Sequence, residues 1–284
     1  MLTIFAIPKA FQGHNNIIQR NAIKSWTRLK PKCEIILIGD DDGVAETAQE
    51  LGINYIPSID KNEYGTPILS SAFRSVKKLA KNNILMYANS DIIFFQDLIE
   101  AVQRIDNLSF LLCGRRWDLD VTEEIDFDDS SWSTKLFDTV KSKGRLHGIS
   151  GMDYFIFPRD TIDMPAFAVG RPGWDTWLIY DMRFKRVPVI NATNVITVVH
   201  QNHDFSHSKF GEKKRVRGPE WQKNIEIAGG LTNMLTLRDA DWILGEHRLK
   251  RPDFPMRLFS MLSLFYPWRL LLAIKRKLQN MQER

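Results

Sequence analysis

ILMYANSDIIFF, residues 84–95, decides how the rest of the chain is read. Ile84 to Tyr87 open it and Ile92 to Phe95 close it, with Ala88, Asn89, Ser90 and Asp91 between them. An apolar run rich in β-branched and aromatic residues reads as a strand buried on both faces. A carboxylate at the carboxyl end of such a strand is costly unless it faces a cleft and finds a partner. In open α/β sheets, ligands bind at that end. Asp91 is therefore read as a metal or ligand contact in preference to an N-cap. The helix that follows has a better-placed cap in Asp97.

Outward from that stretch, strands and helices alternate. Upstream, Leu2–Ile7 and Glu34–Ile38 are apolar strands, and Ile53–Ile56 is a third. Between them, Ile18, Ala22, Trp26 and Leu29 recur at helical spacing, with Asn15 or Asn16 as cap, and Val44–Leu51 is a short helix closed by Gly52. A helix from Ile68 to about Ala80 follows Thr66 as cap and Pro67 in its first turn. Downstream, strands are expected over 108–113, 154–157, 187–191 and 195–200, and helices from 130, 174 and 220. This alternation predicts a doubly wound, mostly parallel sheet. Asp118 to Asp129 holds seven acids and no base, which reads as a solvated loop.

The 284 residues, 44% hydrophobic and 26% charged, are ordinary for a soluble domain. The formal charge of +5 is uneven: from Arg248 to Arg284 nine Lys/Arg face two Asp/Glu, so the remainder is net negative. That excludes a basic nucleic-acid stripe across the fold. Cys33 and Cys113 lie in apolar runs and read as buried thiols of a reducing compartment. MLTIFAIP reads as a first strand, not a signal peptide, and no apolar run reaches the ~18 residues of a membrane span. No Walker loop, G-x-S-x-G or G-x-G-x-x-G is present, so NTPase, lipase-type and dinucleotide readings lack support.

Several longer pieces, IPKAFQGHNNIIQRNAIKSW, EIILIGDDDGVAETAQELGI, NEYGTPILSSAF, YANSDIIF, GRRWDLDVTE, SGMDYFIFPRD, GRPGWDTWLIYD and VVHQNHDFSH, cover most of residues 4–207. Together they resemble a bacterial glycosyltransferase-like family of the nucleotide-diphospho-sugar transferase superfamily. The resemblance implies a GT-A-like, Rossmann-type α/β fold with a mostly parallel sheet flanked by helices and a C-terminal helical appendage. It implies one catalytic domain over residues 1–245, with a nucleotide-sugar-binding half (1–116) and an acceptor-binding half (117–245). A basic amphipathic tail, 246–284, follows.

The implied chemistry is transfer of a sugar from a nucleoside-diphosphate sugar, UDP-linked by family preference, to a hydroxyl of a glycan or lipid-linked acceptor. The implied setting is bacterial surface polysaccharide synthesis. Asn89-Ser90-Asp91 stands where the family keeps D-x-D, with Asn in place of the first acid. Asp91 would hold Mn²⁺ or Mg²⁺, which bridges the donor phosphates. His200, closing a late strand, is the second metal candidate; His203 and His207 follow, and His200-x-x-His203 also fits a transition-metal pair.

Ile7 and Pro8 are expected at the base, and Asp40 and Asp41 at base or ribose unless they serve only the turn. Asn62, Gly65 and Thr66 are expected to approach the donor, Thr66 having helix capping as its alternative. Asp175 is the candidate general base, between Trp174 and Trp177 as sugar platforms; the alternative is a helix cap with both indoles in the core. Asp153 is the rival base, and Asp118 a further acceptor contact. Two other functions remain open: a non-catalytic sugar-nucleotide or carbohydrate-binding protein, and a metal-dependent hydrolase or nucleotidyltransferase. The tail, with Leu258, Phe259, Met261, Leu262, Phe265 and Trp268 among Arg257, Arg269, Lys275, Arg276 and Lys277, suits an anionic membrane surface or, equally, packing of its apolar face on the catalytic domain or on a second subunit. The expected location is the cytoplasm, with the first alternative placing the protein on the inner face of the cytoplasmic membrane.

Overall fold

The computed structural model describes residues 2–106, 109–203 and 218–265. Its first half runs β1 (Leu2–Ala6), α1 (Gly13–Thr27), β2 (Glu34–Ile38), α2 (Val44–Leu51), β3 (Asn54–Ile56), α3 (Leu69–Leu79), β4 (Ile84–Ala88), β5 (Ile92–Phe94), α4 (Asp97–Gln103), β6 (Leu111–Cys113) and β7 (Trp117–Leu119). There follow α5 (Trp132–Lys143), β8 (Arg145–Leu146), β9 (Tyr154–Pro158), α6 (Trp174–Phe184), β10 (Val189–Asn191), β11 (Val198–Gln201), α7 (Pro219–Ile227), β12 (Trp242–Leu244), β13 (Leu249–Lys250) and α8 (Phe254–Leu262).

Side chains alternate along the strands and so build a core on each face of the main sheet. Leu2, Ile4 and Ala6 of β1, with Met86 and Ala88 of β4, meet Ala22 and Trp26 of α1, Val44 of α2 and Leu98 of α4. Phe5, Leu85 and Tyr87 meet the opposite layer, Phe73 and Val76 of α3 and Trp174 and Leu178 of α6. Burial on both faces is why these strands lack polar alternation in the sequence.

The sheet has the order β13-β12-β10-β6-β9-β4-β1-β2-β3. Its pairs β1–β2, β1–β4, β2–β3, β6–β10 and β10–β12 are parallel. The mostly parallel, helix-flanked α/β architecture expected of a GT-A-like chain is present. Two strands depart from the parallel expectation: β9 runs antiparallel to both β4 and β6, and β13 at the far edge antiparallel to β12. The carboxyl ends of β1, β2, β4 and β6 therefore share an edge with the start of β9.

The stretch 84–95 is two strands, not one. After Ala88 the chain turns, and β5 joins a second sheet of order β5-β11-β7-β8. The indole of Trp26, fully buried, donates to the Ile92 carbonyl at 2.8 Å and fixes β5 against α1. Truncating such a residue to Ala costs about 3–5 kcal/mol.

Several local expectations are corrected. Gln12, Ile68 and Gln96 occupy the N-cap positions of α1, α3 and α4, none with a side-chain cap bond. Asn15, Asn16 and Thr66 therefore cap nothing, and Asp97 turns its Oδ2 to the Thr197 N–H at 2.8 Å. Burial pushes the Asp97 carboxyl up to about 6. The acidic stretch after β7 is an exposed loop, as read from the sequence, and it is tied to α1: Glu124 pairs with Lys24 and Asp128 with Arg28, and the Asn21 amide binds the Glu123 carbonyl and the Ile125 N–H.

Beyond residue 245 the chain still contacts the catalytic unit. Leu249–Lys250 pairs with β12. In α8, Ser260 is buried and its Oγ accepts from the Arg183 guanidinium, which also binds the Asp239 carbonyl. His207, Trp268 and the basic residues beyond Phe265 lie outside the described residues. Cys33 and Cys113 are buried and free, and burial pushes the Cys33 thiol up to about 11.

Candidate functional site

Because Ala88 pairs with Tyr154, Asn89 leaves β4 directly opposite Asp153 at the entry to β9. The Asn89 backbone N–H donates to the Asp153 carbonyl at 2.9 Å, and its side-chain amide to Asp153 Oδ1 at 2.6 Å. Ser90 donates to Gln19 Oε1 at 2.8 Å, and Gln19 also binds the backbone N–H and carbonyl of Lys9. The turn is thereby tied to the segment leaving β1, where Ile7 and Pro8 stand.

Asp91 comes next, immediately before Ile92. In the second sheet Ile92 is in register with His200, and His200 with Asp118. Asp91 Oδ2 lies 3.1 Å from His203 Nε2 and 3.7 Å from His200 Nε2. Its Oδ1 is buried with no hydrogen-bond partner. The Gln201 side chain holds the Asp91 carbonyl at 3.0 Å. Burial alone would raise the Asp91 carboxyl, but His200, His203 and Lys9 outweigh it and hold it well below the usual carboxylate range.

The network continues behind the imidazoles. Asp118 Oδ1 lies 3.7 Å from His200 Nδ1, while Asp118 also takes Arg116 Nε at 3.0 Å and His147 Nδ1 at 2.7 Å. Arg116 reaches Asp153 with its other nitrogen. Asp91, His200, Asp118, Arg116, Asp153 and Asn89 thus form a ring that closes across Ser90. Asp118 is buried beside His200 and bonded within this ring.

Asp175 stands in the first turn of α6, after Gly173, whose φ of 120° only glycine adopts readily. Its Oδ1 accepts the backbone N–H groups of Thr176 at 2.9 Å and Gly173 at 3.3 Å. Burial first, and the Asp153 charge as a lesser contribution, push its carboxyl up to about 6. The flanking indoles are not platforms. Trp174 packs on Tyr87 and Phe155, and Trp177 on Phe167, with 6% and 8% of their surfaces exposed. Their spacing with Leu178 was a core signal.

The remaining expected donor contacts form a separate group. Asp40 pairs with Lys61 at 2.5 Å, whose hydrogen bond holds it below the usual range, while burial raises Asp41. Asn62 Oδ1 accepts the N–H groups of Tyr64 and Thr66, closing a turn in which Gly65 has φ 79°. Its amide donates to Glu220 at 2.9 Å, and Glu220 is held by Arg171. These bonds run to α7 and to backbone, not to the Asp91 cluster. The sequence reading missed Arg116, His147 and Gln19. Arg116 was accessible in principle, since it stands two residues before Asp118 at the entry to β7, and residues two apart in extended chain share a face.

No family model and no curated protein matches the chain. Among solved structures it is similar to the mannosyltransferase PcManGT from Pyrobaculum calidifontis in complex with GDP-Man and Mn²⁺, at 12% identity and TM-score 0.49, over 96% of this chain and 73% of that one. It is similar to S. aureus TarS 1–349 in complex with UDP-GlcNAc at 11% identity and TM-score 0.48, over 80% of this chain and 65% of that one. It is also similar to glucosyl-3-phosphoglycerate synthase from Mycobacterium tuberculosis in complex with Mn²⁺, UDP and glucosyl-3-phosphoglycerate, at 12% identity and TM-score 0.45, over 81% of this chain and 80% of that one.

Proposed function

We propose that the chain is a metal-dependent glycosyltransferase that moves a sugar from a nucleoside-diphosphate sugar, UDP-linked in preference, to a hydroxyl of a glycan or lipid-linked acceptor in bacterial surface polysaccharide synthesis. The observation that carries this reading is Asp91: an anionic carboxylate with one buried oxygen unpartnered, beside two imidazoles, at the carboxyl edge of a parallel sheet. That donor set fits a divalent cation. Held by Asp91 and His200, Mn²⁺ or Mg²⁺ would supply charge neutralisation for the departing diphosphate.

The chain's own residues divide the remaining work. Ile7, Pro8, Asp40 and Asp41 line the ends of β1 and β2 for base and ribose, with the Asn62–Thr66 turn beside the donor. Asn89 and Ser90 set the backbone under the diphosphate. Asp175 takes the proton of the acceptor hydroxyl; a carboxyl poised near 6 is ionised at neutral pH yet basic enough to accept it. Asp153 is the poorer base, because Asn89 and Arg116 already engage both its oxygens. A single in-line displacement by an activated hydroxyl inverts the anomeric centre.

Released nucleotide from a panel of nucleotide sugars with Mn²⁺, with and without acceptors, tests the reading, and product NMR gives the anomeric configuration. Release from no donor would overturn it. A binding protein without transfer is the second reading, favoured by Asn89 at the place of an acid and its bond to Asp153; it predicts donor binding with no turnover. On localisation, no helix among the described residues is long and apolar enough to cross a membrane. We place the protein in the cytoplasm, on the inner membrane face, because α8 exposes Phe254, Leu258 and Met261 just before the basic stretch.

A further inference from the structure

We infer that His203 is a third protein ligand of the cation, so that Asp91, His200 and His203 make a two-imidazole, one-carboxylate set that selects transition ions over Mg²⁺. The proposal rests on the donor-site reading for the cation's role, but its affinity and identity are measured apart from transfer.

Three observations carry it. First, the spacing suits one ion. Donor atoms of the three residues all lie within 4.8 Å of one another, and Asp91 Oδ2 is 3.1 and 3.7 Å from the two Nε2 atoms. Ligands about 2.1 Å from a shared metal stand about 3.0 Å apart at octahedral angles and about 3.4 Å at tetrahedral ones. The ring planes of His200 and His203, with centroids 5.4 Å apart, are inclined by 51° and do not stack, so their nitrogens can converge.

Second, the carboxylate is incomplete. Oδ2 is used by the imidazoles, but Oδ1 is buried and makes no hydrogen bond. A buried acceptor left so is costly unless something outside the chain completes it. Third, one imidazole has a carboxylate near its far side. His200 is fixed in register between Ile92 and Asp118, and Asp118 Oδ1 lies 3.7 Å from its buried Nδ1, which makes no hydrogen bond. A small closing movement on metal binding would give His200 the carboxylate partner that orients a ligating ring.

Selectivity follows from donor type. Mg²⁺ takes oxygen ligands, holds its waters and gains little from imidazole. Mn²⁺, Co²⁺ and Zn²⁺ accept nitrogen, with affinity rising from Mn²⁺ to Zn²⁺. Two imidazoles to one carboxylate therefore tilt the site away from Mg²⁺ before any nucleotide binds.

The test uses the full chain freed of metal by chelation, without nucleotide. Calorimetry with Zn²⁺, Mn²⁺ and Mg²⁺, and visible absorption with Co²⁺, report affinity and coordination. One Zn²⁺ or Co²⁺ should bind per chain, at least about 100-fold tighter than Mg²⁺. His203→Gln should weaken Zn²⁺ and Co²⁺ by about 100-fold, change the Co²⁺ spectrum and leave Mg²⁺ nearly untouched. Equal affinity of the unmodified chain for Mg²⁺ and Zn²⁺ would overturn the inference with no variant needed. An unchanged Co²⁺ spectrum in folded His203→Gln would reduce His203 to a hydrogen-bond partner of Asp91. Selective binding without any sugar transfer would sink the transferase reading and leave this one standing.

Discussion

Asp91 and Asp175 sit at the same edge of the sheet, and their surroundings drive their carboxyls in opposite directions. Asp91 meets two imidazoles and the Lys9 charge, so it stays anionic well below the usual range. Asp175 meets only backbone N–H groups and the like charge of Asp153, so burial wins and its carboxyl rises to about 6. Two groups of one chemical type are thereby separated into a permanent anion and a proton acceptor near working pH. The environment, not the residue, assigns the role.

The strongest break of this contrast is at Asp91. Asp91→Asn keeps the shape and removes the charge, and sugar transfer should be lost to background by released-nucleotide assay. Ordinary Mn²⁺-dependent turnover in that variant would remove Asp91 from the metal site. At the other end, Asp175→Asn should lower kcat by roughly 10² to 10⁴, the usual effect of removing a general base, with nucleotide and metal affinity kept. In the unmodified enzyme, kcat/KM should fall as pH drops through about 6, where Asp175 takes up its proton.

Asp175 also yields a stability test with a definite sign. The folded protein binds this proton more tightly than the unfolded chain, whose carboxyl titrates near 3.8. Stability therefore falls as pH rises from 3.8 to about 6 and stays lower above. Asp175→Asn should be more stable than the parent at pH 7, by at most about 3 kcal/mol, with the difference vanishing below pH 3.8. A loss of stability at pH 7 would show that its bonds to Gly173 and Thr176 outweigh the buried charge.

Between the two carboxylates lies Arg116, the cation that joins Asp118 to Asp153. Arg116→Met takes the shared cation from two buried acids, leaving Asp118 with His147 and Asp153 with the Asn89 amide, and removing one partner of a buried pair costs at most about 3–5 kcal/mol. The urea midpoint should drop accordingly, and Asp153→Asn in the same chain should recover part of the loss. If the double variant is no better than the single, the Arg116–Asp153 contact contributes little.

What was legible in the sequence was local. The strand Glu34–Ile38 and the helix Val44–Leu51 with its closing Gly52 fall at the expected residues, because their signals are a continuous apolar run and a left-handed cap. Asp91 and His200 stand out as polar residues at the ends of buried runs. Partnership was not legible. Nothing in ILMYANSDIIFF says that its second half pairs with β11 in another sheet, and nothing in Tyr154–Pro158 says that it runs antiparallel. Both are set by register with strands tens of residues away. The same gap hid the partner of Asp118, which is fixed by that register, and the neighbours of Trp174, whose rings pack on Tyr87 and Phe155.

The smallest expected effect concerns the C-terminal segment. Its described part belongs to the fold: the Ser260 hydroxyl accepts from the buried Arg183 guanidinium, Leu264 packs on the core, and Arg238 lies 5.4 Å from the Phe259 ring. Truncation after Pro255 removes these and leaves Arg183 short of a partner, so it should lower Tm and cannot report on membrane binding alone. Truncation after Phe265 keeps them and removes five Lys/Arg and one acid. Each basic residue near an anionic surface is worth about 1 kcal/mol, a contribution that salt screens. The shorter chain should keep its Tm and its activity on a soluble acceptor. It should also lose most co-sedimentation with anionic liposomes, binding that ~0.5 M salt weakens in the full chain. Undiminished co-sedimentation would move the contact to the exposed Phe254, Leu258 and Met261 of α8, and a Leu258→Glu variant would then be the one to abolish it.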